Sequence, residues 1–123
     1  MGVSQMGAVE SRFADIIWEN EPLTASELAR MSEAALGWKK TTSYTVLKRL
    51  CEKGIFRNDS GTVTSLVSRD EYFAAQSEQF VSENFGGSLP AFLAAFASHK
   101  TLSADEIAEL RRMVDSFDRE GKQ

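Results

Sequence analysis

The chain has 123 residues and a formal net charge of −4, and 42% of its residues are hydrophobic. This length allows one domain or a small domain with an appended module, and the hydrophobic content supports a packed core. No apolar run approaches the roughly 20 residues of a membrane span and no signal peptide opens the chain, so the sequence predicts a soluble cytoplasmic protein with no membrane partner.

The residues that usually carry chemistry are scarce. One cysteine, Cys51, and one histidine, His99, exclude an internal disulfide and a zinc site built from nitrogen and sulfur ligands. Cys51 is interpreted as a half-buried filler, with a redox switch as the alternative, and His99 as a solvated side chain rather than a ligand. No nucleophile–base pair, carboxylate cluster or phosphate-binding glycine loop occurs at usable spacing. We therefore expect no enzyme activity, no cofactor and no metal.

Two helices are predicted before residue 37. The first spans roughly 8–19, where Val9, Phe13, Ile16 and Ile17 recur at helical spacing, and it is broken by Asn20-Glu21-Pro22.

The second predicted helix runs to about Ala35. It begins at Thr24 as N-cap, with Glu27 closing a capping box and Leu23 and Leu28 at the hydrophobic-staple positions. Leu36-Gly37-Trp38 forms the turn that follows.

A third helix, from about Thr41 to Lys53, has two unlike faces. Val46, Leu47 and Leu50 form a narrow apolar stripe, whereas the opposite face is small and polar at its start and cationic later. From residue 39 to residue 57 there are six basic side chains and one acidic side chain, a local balance of +5. A helix that enters the DNA major groove needs this layout, because it must meet base edges, phosphates and its own domain on different sides. Gly54 is predicted to end the helix as a left-handed cap.

Short extended segments follow the third helix. Ile55-Phe56-Arg57 and the stretch 62–67 are candidate strands, joined by a four-residue loop, Asn58-Asp59-Ser60-Gly61. Three helices followed by a hairpin is the order of a winged helix-turn-helix, in which the third helix enters the major groove and the wing lies along the backbone. A winged helix used only for protein–protein contact is the alternative, but such a module would not need the +5 segment.

The rest of the chain is helical and rich in phenylalanine. Helices are predicted from about residue 69 to 84, from 88 or 89 to 98, and from a capping box at Ser103–Glu106 onward. Six of the eight phenylalanines lie here, in a segment too short to bury them comfortably alone. Docking on the winged helix is one solution, and pairing with a second copy is the one we favour, because it also matches a palindromic operator.

The fold class is therefore mainly α with a small β-hairpin wing. A winged helix-turn-helix DNA-binding domain (residues 1–68) is followed by a three-helix dimerisation domain (residues 69–123). The distribution of charge supports this division, since the net charge is 0 for residues 1–67 and −4 for residues 68–123. Because DNA is a polyanion, contact with it is expected in the first part. The side chains expected in the dimer interface are Phe80, Leu89, Phe92, Leu93, Phe96, Ile107, Leu110, Val114 and Phe117.

The expected DNA contacts lie on the third helix and the wing. They are Lys39, Lys40, Thr41, Thr42, Tyr44, Thr45, Lys48, Arg49, Arg57 and Thr62. The threonines are candidates for base edges or phosphates because short hydroxyls let the helix backbone approach closely. Arg49 has two open interpretations, a phosphate contact or an ion pair that positions the helix. Trp18 and Trp38 are interpreted as core or hinge packing rather than base contacts.

These motifs, taken in order, resemble the BlaI/MecI-type penicillinase repressors, a group that also includes CopY-type copper repressors. The signatures are Ile17-Trp18, Gly37-Trp38, Thr41-Thr42 with Thr45, Arg49-Leu50, Lys53-Gly54, Leu66-Val67, Gly86-Gly87, and Leu102-Ser103 with Glu106. The resemblance implies a homodimeric repressor of antibiotic-resistance genes that binds a double-stranded operator through its N-terminal domains. The chain departs from the family pattern at four positions, where Ser11, Ser43, Val63 and Ser65 replace the usual Trp, Val, aromatic residue and Pro.

The resemblance also implies how repression ends. CopY-type relatives sense copper through C-terminal cysteines, which this chain lacks, so we expect no direct metal sensing. Penicillinase repressors are cut by a regulatory protease at an Asn–Phe bond in the C-terminal module. The matching bond here is Ala95–Phe96, which keeps the Phe and loses the Asn.

Overall fold

The computed structural model describes residues 6–121, and the chain divides into two compact units, one up to Phe80 and one from Val81 onward. The opening residues 1–5, where no signal peptide was predicted, and the last two residues lie outside this description. Six helices and one antiparallel sheet make up the described part, which confirms a mainly α fold. The domain boundary predicted between residues 68 and 69 stays a prediction.

All six predicted helices are present, with bounds within about two residues of expectation. The elements in chain order are α1 (Ala8–Asn20), β1 (Leu23–Thr24), α2 (Ala25–Leu36), α3 (Lys40–Glu52), β2 (Phe56–Asp59), β3 (Thr62–Ser65), α4 (Arg69–Phe85), α5 (Leu89–Ala97) and α6 (Ala104–Gly121).

Local signals in the sequence explain where the helices start and stop. At the start of α2, the Thr24 hydroxyl accepts from the Glu27 N–H (3.0 Å) and the Glu27 carboxylate accepts from the Thr24 N–H (2.8 Å), so the predicted capping box is confirmed. The hydrogen bond from the Thr24 N–H lowers the pKa of Glu27. Gly54 follows α3 with φ +83°, a left-handed conformation that glycine adopts without steric cost.

The core of the first unit is formed by α1, α2, α3, the sheet and the start of α4. Its most buried large side chains are Phe13, Ile17, Leu28, Leu50, Ile55, Phe56, Val63 and Tyr72. Trp38 stacks on Phe13 with ring centroids 5.1 Å apart, and the Trp18 indole N–H donates to the Val67 carbonyl at 3.0 Å. Both tryptophans therefore serve the fold, as predicted. Val9, placed on the apolar face of α1 by its spacing, is half exposed.

The sheet differs from the predicted two-stranded hairpin in two ways. Its order is β1-β3-β2, because Leu23 and Thr24 pair with Val63 and Thr62 and add a third strand. The hairpin loop is two residues rather than four. Ser60 (φ +53°) and Gly61 (φ +95°) both take positive φ, which matches the twist of a tight hairpin and lets the ladder continue through the residues before them.

The second unit contains the end of α4 together with α5 and α6. Gly86 and Gly87 interrupt the helical path at the predicted break, both with positive φ. The Ser88 hydroxyl caps α5 by accepting from the Ala91 N–H at 3.1 Å. The predicted capping box of α6 forms between Ser103 and Glu106, with two hydrogen bonds of 3.1 Å.

Candidate nucleic-acid interface and dimer surface

Helix α3 separates its apolar and polar side chains as the sequence predicts. Val46, Leu47 and Leu50 are buried together with Ser43. The candidate contact residues of the helix all lie on its exposed side, and they are Lys40, Thr41, Thr42, Tyr44, Thr45, Lys48 and Arg49. One face of the helix is therefore held by the core, and the other is available to a ligand.

The six cations of the +5 segment divide into two groups by their ion pairs. Arg49 and Lys53 both face the Glu10 carboxylate, at 3.1 and 3.8 Å, and Arg57 lies 3.6 Å from Asp59. Lys39, Lys40 and Lys48, the other group, form no ion pair with any residue between 6 and 121. The charges of these three lysines are therefore not neutralised by an acidic side chain of the described residues.

Glu10 explains why Arg49 differs from its neighbour Lys48. Its carboxylate accepts from the Gly7 N–H at 3.0 Å and from the Arg49 guanidinium at 3.1 Å. The hydrogen bond from Gly7 lowers the pKa of Glu10, and the hydrogen bond and charge of Arg49 and the charge of Lys53 lower it further, against an opposing effect of burial. Glu10 thus ties the end of α3 to the start of α1, which is the positioning interpretation left open for Arg49. Its role as a DNA contact stays a prediction.

Hydroxyl and aromatic groups near the start of α3 are partly pre-arranged. The Thr45 hydroxyl donates to the Thr41 carbonyl at 2.9 Å, which leaves its methyl group and an oxygen lone pair for an external partner. The Lys40 ammonium lies 5.8 Å from the centre of the Tyr44 ring. Thr42, three residues before Thr45, is also exposed. The arrangement presents short polar side chains at the helix start, with cations beside them.

The wing presents fewer charges than the helix. Arg57 and Asp59 both lie on β2, with side chains 62% and 69% exposed. Thr62 pairs with Asp59 at the tip of the hairpin, whereas Arg57 pairs with Thr64 nearer its base. The two predicted wing contacts therefore lie at different distances from the hairpin tip, and Arg57 is ion-paired with Asp59.

Helix α2 places polar side chains beside the start of α3, and the sequence interpretation did not identify them. Ser26, Ala29, Arg30 and Glu33 line a cleft of about 230 Å³ together with Lys40 of α3. Arg30 is exposed and brings a further cation beside the start of α3. The spacing of Ser26, Arg30 and Glu33 along α2 placed them on one polar face, but nothing local indicated that this face borders α3.

Two serine hydroxyls are buried where α2 and α3 face the core. Ser32 and Ser43 are 0% and 2% exposed, and neither Oγ has a hydrogen-bond partner among residues 6–121. A buried hydroxyl without a partner is destabilising, because its hydration is lost and not replaced. Ser43 is also the position where the resemblance expects Val.

The second unit leaves its apolar side chains in contact with solvent. No side chain described in α5 or α6 is buried. Those of the predicted interface that are at least 38% exposed are Phe80 (in the first unit), Leu89, Leu93, Phe96, Ile107, Val114 and Phe117, and Phe92 and Leu110 are half-buried.

The exposed apolar side chains of the second unit line two grooves. One, of about 260 Å³, is lined by the apolar side chains of Phe92, Leu93, Phe96, Leu102, Leu110 and Met113 and by the acidic side chains of Glu106 and Glu109. The other groove shares Leu110 with the first and is also lined by Ile107 and Val114. Met113 and Leu102 were not in the predicted interface, although Met113 follows Leu110 by three residues on α6 and Leu102 lies just before that helix. The predicted cleavage bond, Ala95–Phe96, lies in α5 with both side chains exposed.

The remaining candidate sites do not gather into a reactive centre. Cys51 is half-buried, as predicted, and burial raises the pKa of its thiol, which favours the unreactive protonated form. His99 is exposed just beyond α5. Between residues 6 and 121 no group of three or more potential ligands could hold a metal ion, and no helix is long and apolar enough to cross a membrane.

Comparison with known proteins identifies the family. The family model for penicillinase repressors matches residues 6–116, which is most of the chain. The chain belongs to the penicillinase repressor family. The resemblance inferred from the motifs is confirmed, and a family of repressors is consistent with the absence of enzymatic motifs from the sequence.

Individual relatives align over about nine-tenths of the chain. The penicillinase repressor of Bacillus licheniformis is 24% identical over 117 residues, covering 92% of this chain and 91% of that protein. The methicillin resistance regulatory protein MecI of Staphylococcus aureus is 26% identical over 115 residues, covering 90% and 94%. Among solved structures, the monomeric form of Bacillus licheniformis BlaI in complex with the blaP half-operator matches with a TM-score of 0.50 and 20% identity. That match covers 57% of this chain and 90% of the BlaI chain, and it supports the winged-helix fold.

Proposed function

We propose that this chain is a transcriptional repressor that binds a palindromic double-stranded operator as a homodimer. In this proposal α3 enters the major groove, and the wing follows the phosphate backbone. Relatives in the family are named as regulators of penicillinase and methicillin resistance, so we further propose that the regulated genes concern resistance to antibiotics and that the repressor acts in the cytoplasm.

The observation that supports DNA binding most directly is that α3 has a buried apolar face and an exposed face of hydroxyls and cations. Its apolar face is buried in the core, its opposite face carries short hydroxyls, and three neighbouring lysines form no ion pair within residues 6–121. Each such lysine, placed on a phosphate, releases condensed counterions from DNA. A module used only for protein contact would not need a segment with a net charge of +5 on and around its third helix.

Fluorescence anisotropy with labelled duplex DNA tests this proposal. Replacing Lys39, Lys40 and Lys48 by alanine should weaken binding to every duplex and make it less dependent on salt. The slope of log K against log salt should fall by about 0.9 for each phosphate that the variant no longer neutralises. A triple alanine variant with unchanged affinity would refute the assignment of α3 and favour the protein-contact alternative.

Homodimer formation is supported by the apolar surface of the second unit. Side chains such as Leu93, Phe96 and Val114 are 38%, 46% and 61% exposed in the single chain. A second copy would remove this surface from water at a gain of about 25 cal/mol per Å² of apolar area. It would also place two α3 helices in the twofold arrangement that a palindromic operator requires. Sedimentation that finds only monomers at micromolar concentration would contradict this part of the proposal.

Derepression by proteolysis is the finer part of the proposal. The Ala95–Phe96 bond lies inside α5, and the Ala95 carbonyl accepts from the Ser98 hydroxyl at 2.7 Å. Cutting there would divide the apolar set of Leu89, Phe92 and Phe96, so neither fragment could hold the interface. Mass spectrometry of the repressor from induced cells tests this step. Fragments ending at residue 95 are expected, and an intact chain after full derepression would show that another mechanism operates.

A further inference from the structure

A carboxylate outside the predicted contact set holds the base of the wing. Glu21 follows the end of α1, and its Oε1 accepts from the Ser65 N–H at 2.8 Å. The Ser65 hydroxyl lies 2.9 Å from Oε1 and 2.8 Å from Oε2. Both groups are half-buried, so these hydrogen bonds are partly shielded from water. We refer to this pair of residues as the Glu21–Ser65 clasp.

We infer that Glu21 is a positioning residue, which through the Glu21–Ser65 clasp holds the wing in register for phosphate binding. The inference rests on the proposed DNA-binding function. Glu21 itself does not contact DNA in this account, because a carboxylate would repel phosphate. Its role is to fix Ser65, the last residue of β3, which pairs with Phe56 beside the exposed Arg57.

The position of the clasp within the hairpin predicts which contact depends on it. The tip is held separately, because the Ala25 N–H at the start of α2 donates to the Gly61 carbonyl at 2.8 Å. Gly61 and Ser65 are four residues apart, or about 13 Å along a strand. The chain beyond Ser65 is also held, because the Leu66 N–H donates to the Ile55 carbonyl at 2.8 Å and the Trp18 indole N–H to the Val67 carbonyl at 3.0 Å. The clasp therefore sets the position of Ser65 itself, and a shift of about 2 Å there would be enough to break a hydrogen bond to phosphate. Arg57, near the base, should therefore depend on the clasp, and Thr62, beside the tip, should not.

The residue type at position 65 fits this role. Ser65 donates two hydrogen bonds to one carboxylate, one from its backbone and one from its side chain. A proline at this position would have neither donor.

Two substitutions at Glu21 separate positioning from simple charge. Glu21→Ala and Glu21→Gln remove the same negative charge, but glutamine keeps an oxygen that can accept from the Ser65 N–H. If Glu21 acted only as a charge, both variants would bind duplex DNA equally, and slightly more tightly than wild type. Positioning predicts instead that Glu21→Ala binds duplex DNA about tenfold more weakly, because the charged hydrogen bond from Arg57 to phosphate is lost. Glu21→Gln should bind within about twofold of wild type.

The closing experiment combines anisotropy titrations of the full chain on operator-length duplex DNA with amide hydrogen exchange. In the Glu21→Ala background, Arg57→Ala should weaken DNA binding little further, whereas Thr62→Ala should weaken it as much as it does in wild type. The slope of log K against log salt should be lower in Glu21→Ala than in wild type by about one unit per wing. Equal affinities for Glu21→Ala and Glu21→Gln, or a full effect of Arg57→Ala in the Glu21→Ala background, would overturn the inference.

Hydrogen exchange at the Ser65 amide distinguishes this failure from failure of the proposed function. Protection that disappears in Glu21→Ala and persists in Glu21→Gln, with a wild type that does not bind DNA, would mean that the clasp exists but the chain is not a DNA-binding repressor. Unchanged protection in Glu21→Ala would mean that no clasp forms in solution.

Discussion

Lys48 and Arg49 are neighbouring cations on α3 for which the structure predicts opposite consequences of substitution. Lys48 forms no ion pair within residues 6–121, whereas the Arg49 guanidinium lies 3.1 Å from the Glu10 carboxylate. We predict that Lys48→Ala weakens DNA binding without changing stability. Arg49→Ala should lower stability and leave the salt dependence of DNA binding nearly unchanged.

The magnitudes follow from exposure and from counterion release. Arg49 is 52% exposed and Glu10 is 18% exposed, so their pair is worth about 1 kcal/mol at most. For a unit of this size, about 1 kcal/mol corresponds to a melting temperature lower by about 4–8 °C. Removal of the Lys48 charge from one phosphate should lower the salt slope by about 0.9 for each recognition helix.

Thermal unfolding and anisotropy between about 50 and 200 mM salt, the range over which phosphate-dependent affinity falls steeply, measure the two effects on the same proteins. A double-mutant cycle with Glu10→Gln identifies the pair, because Arg49→Ala should cost less once Glu10 has no charge. The reasoning would be refuted if Arg49→Ala flattened the salt dependence as much as Lys48→Ala while the melting temperature stayed the same.

Four further predictions concern stability, assembly and specificity. Ser43→Ala should stabilise the first unit by about 1 kcal/mol in denaturant titrations, since it removes a buried hydroxyl that has no partner in the described part of the chain. Ser26→Ala, at an exposed position on α2, is the control and should change stability by less than about 0.5 kcal/mol. Leu93→Asp should give monomers by sedimentation, whereas Leu66→Asp, exposed in the first unit, should leave the dimer intact. Thr42→Ala should change the preference among operator variants more than the affinity for random duplexes. Because the pKa of Glu10 is lowered by folding, its stabilising effect should be complete above about pH 4.5 and fade as pH falls through its folded-state pKa, so unfolding of wild type and Glu10→Gln should converge in acid.

The helices could be predicted from the sequence because their signals are local. The capping boxes at Thr24 and Ser103 involve residues three positions apart, and the apolar stripe of α3 lies within five residues. Such patterns are readable without knowing the fold. The exposed face of α3 followed from the same stripe.

The features that sequence reasoning missed depend on contacts between distant segments or on backbone conformation. Glu10 meets Arg49 across 39 positions, and Glu21 meets Ser65 across 44. No local pattern marks either acid as the partner of a particular residue. The hairpin loop was predicted two residues too long because Ser60 adopts positive φ, which is uncommon for a non-glycine residue. The short strand β1 was hidden because Leu23 and Thr24 already fitted the staple and cap of α2.

The two units differ in how they satisfy their apolar side chains, and this difference bears on the proposed switch. The first unit buries residues such as Phe13, Leu50 and Val63 completely. The second, from Val81 onward, is near the size below which chains usually need a metal, a disulfide or a partner to fold. If a second copy is that partner, the same apolar surface determines both folding of the second unit and operator affinity. Two linked half-site contacts gain about 10²–10⁴ in avidity over one. A single cut in α5 would therefore remove most operator occupancy while the DNA-binding unit itself remained folded.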